Sequence, residues 1–164
     1  MLLYHGTNEA TARKSLTGGL LPRLFTNRKS NWSRCPSRKD AVYLTAAYAA
    51  YFAASSSNSG KWGIVEIDTN KLEQFRFLPD EDFLEQVTRN QNGPWPKTDM
   101  VKRTRWFRKN LEKYSHHWTD SINGIGNCAY LGTIPSIAIT RVAIFDPKNA
   151  LRLCWHVLTR RFLH

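Results

Sequence analysis

His5-Gly6-Thr7, closing the short apolar run Leu2-Leu3-Tyr4, is the stretch of this chain best suited to hold a small polar ligand. An imidazole offers one donor and one acceptor, enough to pair with a sugar hydroxyl. The glycine beside it has no side chain, so its backbone can lie flat against a ligand. Tyr43, in the second apolar run Ala41-Val42-Tyr43-Leu44-Thr45, adds an aromatic face, and Tyr48 and Tyr51 follow it closely. Such rings stack on a flat, partly cationic group, or they pack as ordinary core together with Phe52; both readings stand at this point.

Two further segments carry charge in a pattern that suits phosphate. From Arg23 to Lys39 the chain holds Arg23, Arg28, Lys29, Arg34, Arg38 and Lys39, with Trp32 embedded and no acid before Asp40. A basic loop with an aromatic fits phosphate contacts and a stacked base, or a solvated loop whose tryptophan packs down on the core. From Thr98 to Tyr114 an apolar side of Met100, Val101, Thr104 and Phe107 to Leu111 faces Lys102, Arg103, Arg105, Arg108, Lys109 and Lys113. That helix can lie along a phosphate backbone with Lys102, Arg105 and Lys109 among its contacts, or be a solvated surface helix. The near-absence of acids, Asp99 and Glu112 only, favours a partner.

The elements that must position these residues are legible in outline. Leu2 to His5 reads as a buried strand; Asn8 caps a helix through Ala10, Ala12 and Leu16, closed by Gly18-Gly19. Val42 to Thr45 reads as a second strand, Ala46 to Ala54 as a short helix and Trp62 to Ile67 as a third strand. Pro79-Asp80-Glu81-Asp82 places acids at a helix N-terminus, where negative charge is welcome, and the helix continues through Phe83, Leu84 and Val87. Asn90 to Pro96 and the glycine-rich Ser121 to Asn127 read as loops, with strands at 129–131, 137–145 and 151–158. The order implies one α+β domain over residues 1–164, a sheet flanked by helices.

A chain of 164 residues supports one real core, and 41% hydrophobic content excludes global disorder. The net charge of +11 and pI near 9.9 point to a polyanionic partner, nucleic acid ahead of an acidic protein or an anionic membrane. Cys35, Cys128 and Cys154 are scattered and odd in number, which suits reduced thiols in a cytosol-like compartment. His116-His117 lacks a nearby cysteine pair, so no zinc site is expected. The N-terminus has no signal-peptide pattern and no apolar run approaches a membrane span, so a cytoplasmic protein is expected.

His5-Gly6-Thr7, Tyr43 and the Tyr51 region together resemble the ADP-ribosyltransferase superfamily, of the poly(ADP-ribose) polymerase and diphtheria-toxin-like fold. The resemblance implies a split β-sheet with flanking helices and NAD as the substrate that donates ADP-ribose. It implies that His5 bonds the adenosine-side ribose, that Gly6, with Thr7 beside it, holds the nicotinamide amide, and that Arg23 meets the pyrophosphate. Tyr43 and Tyr51, with Tyr48 as the other helix tyrosine, would pack on the nicotinamide. The run Leu131 to Ile137, with its Ile134-Pro135 step, resembles transferases that modify nucleic acid.

The superfamily usually adds a glutamate on a later strand, which stabilises the oxocarbenium-like transition state. The matching stretch here is Asn127-Cys128-Ala129-Tyr130-Leu131-Gly132, with no acid. Three explanations stand: Glu81 or Glu85 supplies the carboxylate; Ala129 occupies the place of a glutamate removed to disarm a toxic enzyme; or basic residues suffice, as in RNA 2'-phosphotransferases. The resemblance thus implies an NAD-dependent ADP-ribosyltransferase acting on RNA or DNA, of the kind found as toxins in toxin–antitoxin or anti-phage systems, with an acidic antitoxin as partner. The alternatives it leaves are an RNA 2'-phosphotransferase-like enzyme and an inactive nucleic-acid-binding domain of the same fold.

Overall fold

The computed structural model describes residues 1–26, 29–30, 36–56 and 60–146. Chain order runs β1 (Leu2–Asn8), α1 (Glu9–Gly18), β2 (Ala41–Thr45), α2 (Ala49–Ser56), β3 (Trp62–Asp68), β4 (Phe77–Pro79), α3 (Glu81–Thr88), α4 (Met100–Asn110), α5 (Trp118–Ile125), β5 (Asn127–Leu131) and β6 (Ile139–Phe145). The fold is α+β. Among the described residues the strands form one six-stranded antiparallel sheet in the order β4-β5-β2-β1-β3-β6.

The pairing along this sheet is uneven. β1 and β3 pair along their whole length, from Leu2↔Asp68 to Asn8↔Trp62, and β2 pairs β5 from Ala41↔Leu131 to Thr45↔Asn127. Between β1 and β2 the register holds one pair, Tyr4↔Thr45. Two three-stranded groups, β4-β5-β2 and β1-β3-β6, therefore meet at a narrow junction, and His5 and Tyr43 lie beside it.

Neighbouring residues of a strand point to opposite faces, and the strands of the first group are covered on both. Val42, Leu44, Phe77, Cys128 and Tyr130 enter one core with Leu3, Val65 and Ile67; Ala41, Leu78 and Ala129 enter a second with Phe83, Leu84, Phe107 and Leu111 of the α3–α4 layer. Burial on both faces is why these strands read as continuous apolar runs. α1 begins as expected: the Asn8 side chain accepts from the Thr11 N–H at 3.0 Å.

Three expectations are corrected. Ser121 to Asn127 is not a loop through most of its length; α5 runs to Ile125 and ends at Gly126, whose φ of 75° is the left-handed conformation that favours glycine. Packing overrides the weak helix formers Asn123 and Gly124, because Ile122 and Trp118, one turn apart, both face the core. The helix expected from Thr98 to Tyr114 is α-helical over Met100–Asn110 and gives way to short tighter turns over Leu111–His117, kinked at Tyr114. Tyr48 precedes α2 rather than lying on it; the Thr45 hydroxyl caps this turn, accepting from the Tyr48 N–H at 2.9 Å. The strand expected at 151–158 lies outside the described residues.

Candidate functional site

At the junction, His5 Nδ1 lies 2.9 Å from the Tyr43 carbonyl oxygen. A carbonyl only accepts, so Nδ1 carries a proton and donates. The ring is half-buried and held by the backbone of the neighbouring strand, which fixes its orientation. Gly6 is demanded by packing: a Cβ there would lie 2.1 Å from the Ala49 carbonyl oxygen and 2.5 Å from the Ala53 nitrogen. The first turn of α2 thus sits directly on β1, and Thr7 is buried beside it.

From Tyr43 a polar chain runs inward. Its hydroxyl donates to Glu81 Oε2 at 2.8 Å and accepts from the Arg38 N–H at 3.1 Å. The other oxygen of Glu81 accepts from Arg108 Nε at 2.9 Å and Nη2 at 2.8 Å, a two-pronged contact from α4 to α3. Burial, with the charges of Glu81 and Asp80 beside it, pushes the Tyr43 hydroxyl well above the usual tyrosine range, so it stays protonated as a donor. Asp80, which caps α3 through the Asp82 N–H, is held well above the usual carboxylate range by burial and by the adjacent Glu81 and Asp82.

The Asp80 shift makes a prediction. Folding raises its value, so its contribution to stability is fully present below the unfolded carboxylate value and is lost as pH rises through the folded one. Asn caps a helix as well as Asp. Asp80→Asn is therefore expected to leave stability at neutral pH unchanged or raised, and to remove part of the decline between acid and neutral pH. Thermal melts across that range check it; a mutant destabilised at neutral pH by more than about 1 kcal/mol, the usual size of a lost cap, would contradict it.

Beyond Arg108 opens a cavity of about 460 Å³, lined by Arg23, Pro36, Ser37, Arg38, Lys39, Arg108, Lys109 and Glu112. Five cations and one carboxylate face it. Arg38 is braced on both sides: it meets Asp40 through two contacts of 2.9 and 2.6 Å and Glu112 at 2.7 Å. The Asp40 hydrogen bond, outweighing burial, holds its guanidinium above the ordinary arginine value, and Asp40 is lowered in return. Arg23 donates from Nη2 to the Ser37 carbonyl, tying the turn after Pro22 to the same loop. Arg38 and Arg108 are thus held in place by carboxylates that balance part of their charge, while Lys39 and Lys109 stand exposed at the rim.

No protein-family model and no curated protein matches this chain.

The structure thus brings together Tyr43, Glu81, Arg23 and Lys109 of the residues singled out by sequence, with His5 attached through the Tyr43 backbone. Arg38, Lys39 and Arg108, which the sequence offers only as members of a basic loop and a basic helix suited to phosphate, line the cavity with Arg23 and Lys109. Tyr48 and Tyr51 are exposed, and Tyr51 stands edge-on to Phe52 at 5.5 Å.

Glu81 and Glu85 are not solvated charges at a helix start; both are buried and ion-paired. Glu85 accepts from Arg103 Nη2 at 2.8 Å and Arg89 Nη2 at 3.0 Å. Burial raises its carboxyl, but hydrogen bonds from Arg89 and Arg103 outweigh that and hold it below its ordinary value. Ala129 is fully buried between Tyr43 and Leu78, inside the second core, where any carboxylate would be shut away from solvent.

The basic face of α4 is narrower than the sequence suggested, because Arg103 is buried against Glu85 and Arg108 is held by Glu81. Lys102, Arg105 and Lys109 are exposed on the opposite side, as is Lys29 in the preceding loop. Arg28, Trp32 and Arg34 lie outside the described residues. Among the described residues no group of three or more potential ligands is placed to hold a metal ion, and no helix is long and apolar enough to cross a membrane.

Proposed function

We propose that this protein is an NAD-dependent ADP-ribosyltransferase whose acceptor is nucleic acid, RNA ahead of DNA. The observation that carries the proposal is the 2.9 Å contact of His5 with Tyr43 across a junction of one residue pair. A narrow junction suits the split sheet that the resemblance implies, and His5 and Tyr43 stand on the two strands beside it. With Nδ1 donating to a carbonyl, Nε2 is the ring atom that would meet a ribose hydroxyl. Glu81 acts through Tyr43 and Arg108 as a positioning residue: one carboxylate orients a hydroxyl and a guanidinium at once. Arg108 and Arg23 then supply the positive charge that steadies phosphate oxygens.

His5→Ala is expected to weaken NAD binding by about 1 kcal/mol or somewhat more, the worth of one hydrogen bond, while the protein stays folded. Titration calorimetry with NAD reads this directly. Unchanged affinity in a folded mutant would take His5 out of the site.

The acceptor has its own test. With Lys102, Arg105 and Lys109 on a phosphate backbone, log K should fall linearly with log salt, by roughly 0.7 to 0.9 per phosphate contacted. Arg105→Glu with Lys109→Glu should weaken binding alike across sequences, since phosphate contacts position and do not specify. A shallow slope, or normal binding by the double mutant, would move the acceptor to protein and make α4 a docking face for an acidic antitoxin.

The basic cavity also suits a second enzyme, an RNA 2'-phosphotransferase-like protein, in which such arginines hold the transferred phosphate. Release of phosphate from RNA bearing an internal 2'-phosphate, in the presence of NAD, separates the two.

A further inference from the structure

A second concavity, of about 390 Å³, shares no lining residue with the basic one. Phe83 of α3, Trp95 of the segment between α3 and α4, and Tyr114 line it, with His117 and Asp120 among its polar groups. No lysine or arginine lines it, on a chain of net charge +11. Its rings are held by α4: Trp95 packs on Phe107 at 5.4 Å and on Trp106 at 6.1 Å, and Tyr114 meets the same two rings at 5.6 and 6.4 Å. α5 closes on Phe83 where Gly124 stands; a Cβ there would lie 3.0 Å from the ring. A phosphate would find no cation in this lining, whereas a flat ring finds aromatic walls.

Two polar features narrow the choice of ring. His117 Nδ1 donates to Asp120 Oδ2 at 2.9 Å, and the Asp120 side chain is 58% exposed. A carboxylate offers about four acceptor sites, so one such contact leaves capacity for two neighbouring donors of a ligand. Trp95 brings the opposite need, a buried Nε1–H with no acceptor among the described residues.

We propose that this cavity is a guanine-binding pocket for one base of the acceptor strand. The proposal rests on the nucleic-acid reading of the acceptor. Among the four RNA bases guanine alone has two adjacent donors, N1–H and N2–H2, on one edge, the pattern a carboxylate accepts, and its O6 and N7 are acceptors of the kind the Trp95 N–H lacks. Adenine and cytosine set one donor beside a ring-nitrogen acceptor, and uracil sets one donor between two carbonyls, so each would turn an acceptor toward Asp120. The volume lies within the range of small-molecule sites. Phosphate contacts on the basic surface would position the strand, and this pocket would specify a base.

The test uses short fluorescent RNA strands of equal length and charge: all uridine, or uridine with one central guanosine, inosine, adenosine or cytidine. Guanosine is expected to tighten binding roughly tenfold over uridine, the worth of a hydrogen bond to a charged group, and inosine, which lacks the N2 amino group, should lose most of that gain. Asp120→Ala should bring the guanosine strand down to the all-uridine strand. Tyr114→Ala should weaken the guanosine strand roughly tenfold, the worth of one base–aromatic stack, and leave the all-uridine strand as before. Melting temperatures confirm that each variant is folded, and the exposed Asp120 keeps the test decisive where Tyr114→Ala is not. Equal affinity for all the strands, or a guanosine preference that survives Asp120→Ala, would overturn the pocket and leave the nucleic-acid reading in place. Binding of free guanosine, lost in Asp120→Ala, by a protein that binds no strand would keep the pocket and overturn the nucleic-acid reading.

Discussion

Arg103→Ala is expected to lower the stability of the protein by about 3–5 kcal/mol, the cost of leaving one partner of a buried ion pair behind. Arg103 and Glu85 are both about 5% exposed as side chains, and their contact joins α4 to α3 at 2.8 Å. The same guanidinium also donates to the Lys97 carbonyl at 2.9 Å, so its loss frees the segment before α4 as well. Arg89 reaches the other oxygen of Glu85 from solvent, its side chain 56% exposed. Arg89→Ala should therefore cost no more than about 1 kcal/mol, as exposed pairs do. Chemical denaturation of the two variants checks the contrast. Equal losses would mean that burial does not set the value of these pairs here.

Glu81→Gln is expected to reduce the proposed transfer roughly a hundredfold, the size of effect that follows when the geometry of a reaction site shifts by about 1 Å. Glutamine keeps the length of the side chain but gives up the charge that holds Arg108, and its amide cannot accept from both Tyr43 and Arg108 as two carboxylate oxygens do. Glu85→Gln is the matched control: a buried carboxylate one helical turn away, paired to arginines outside the cavity. It should lower the melting temperature and leave transfer unchanged in the folded range. Loss of transfer in both, or in neither, would remove Glu81 from the chemistry. Tyr43→Phe separates its two roles further, since it keeps the ring and deletes the link between Arg38 N–H and Glu81.

What was legible in the sequence was what is set locally. The Asn8 cap and the apolar run before it announce β1 and α1, because cap and strand signals lie within a few residues of one another. β2 and β3 are equally plain. α5 was not, since Asn123, Gly124 and Gly126 carry loop composition and the helix is held by tertiary contacts. The Ser121 hydroxyl, fully buried, donates to the Asn127 carbonyl and accepts from the Asp80 N–H, contacts no local pattern announces. β4 has three residues, too few to display a period, and exists through its pairing with β5.

The site divides in the same way. His5 and Tyr43 each sit in an apolar run and stand out; the link from Tyr43 to Glu81 spans 38 residues and that from Glu81 to Arg108 spans 27, so no spacing rule connects them. The division of α4 into a buried and an exposed basic set was within reach of helical phase. Arg103, Phe107 and Leu111 recur at four-residue steps and are buried, while Lys102, Arg105 and Lys109 fall on the other side.

The proposed reaction is transfer of ADP-ribose from NAD to nucleic acid, with His5 in the NAD site. Incubating the protein with NAD labelled in its adenylate phosphate, together with separate pools of RNA, DNA and cell protein, tests it most directly. The expected result is label in the RNA pool above the DNA pool, lost in the folded His5→Ala variant. Label confined to protein, or no label in any pool from a chain that binds no NAD, would contradict it.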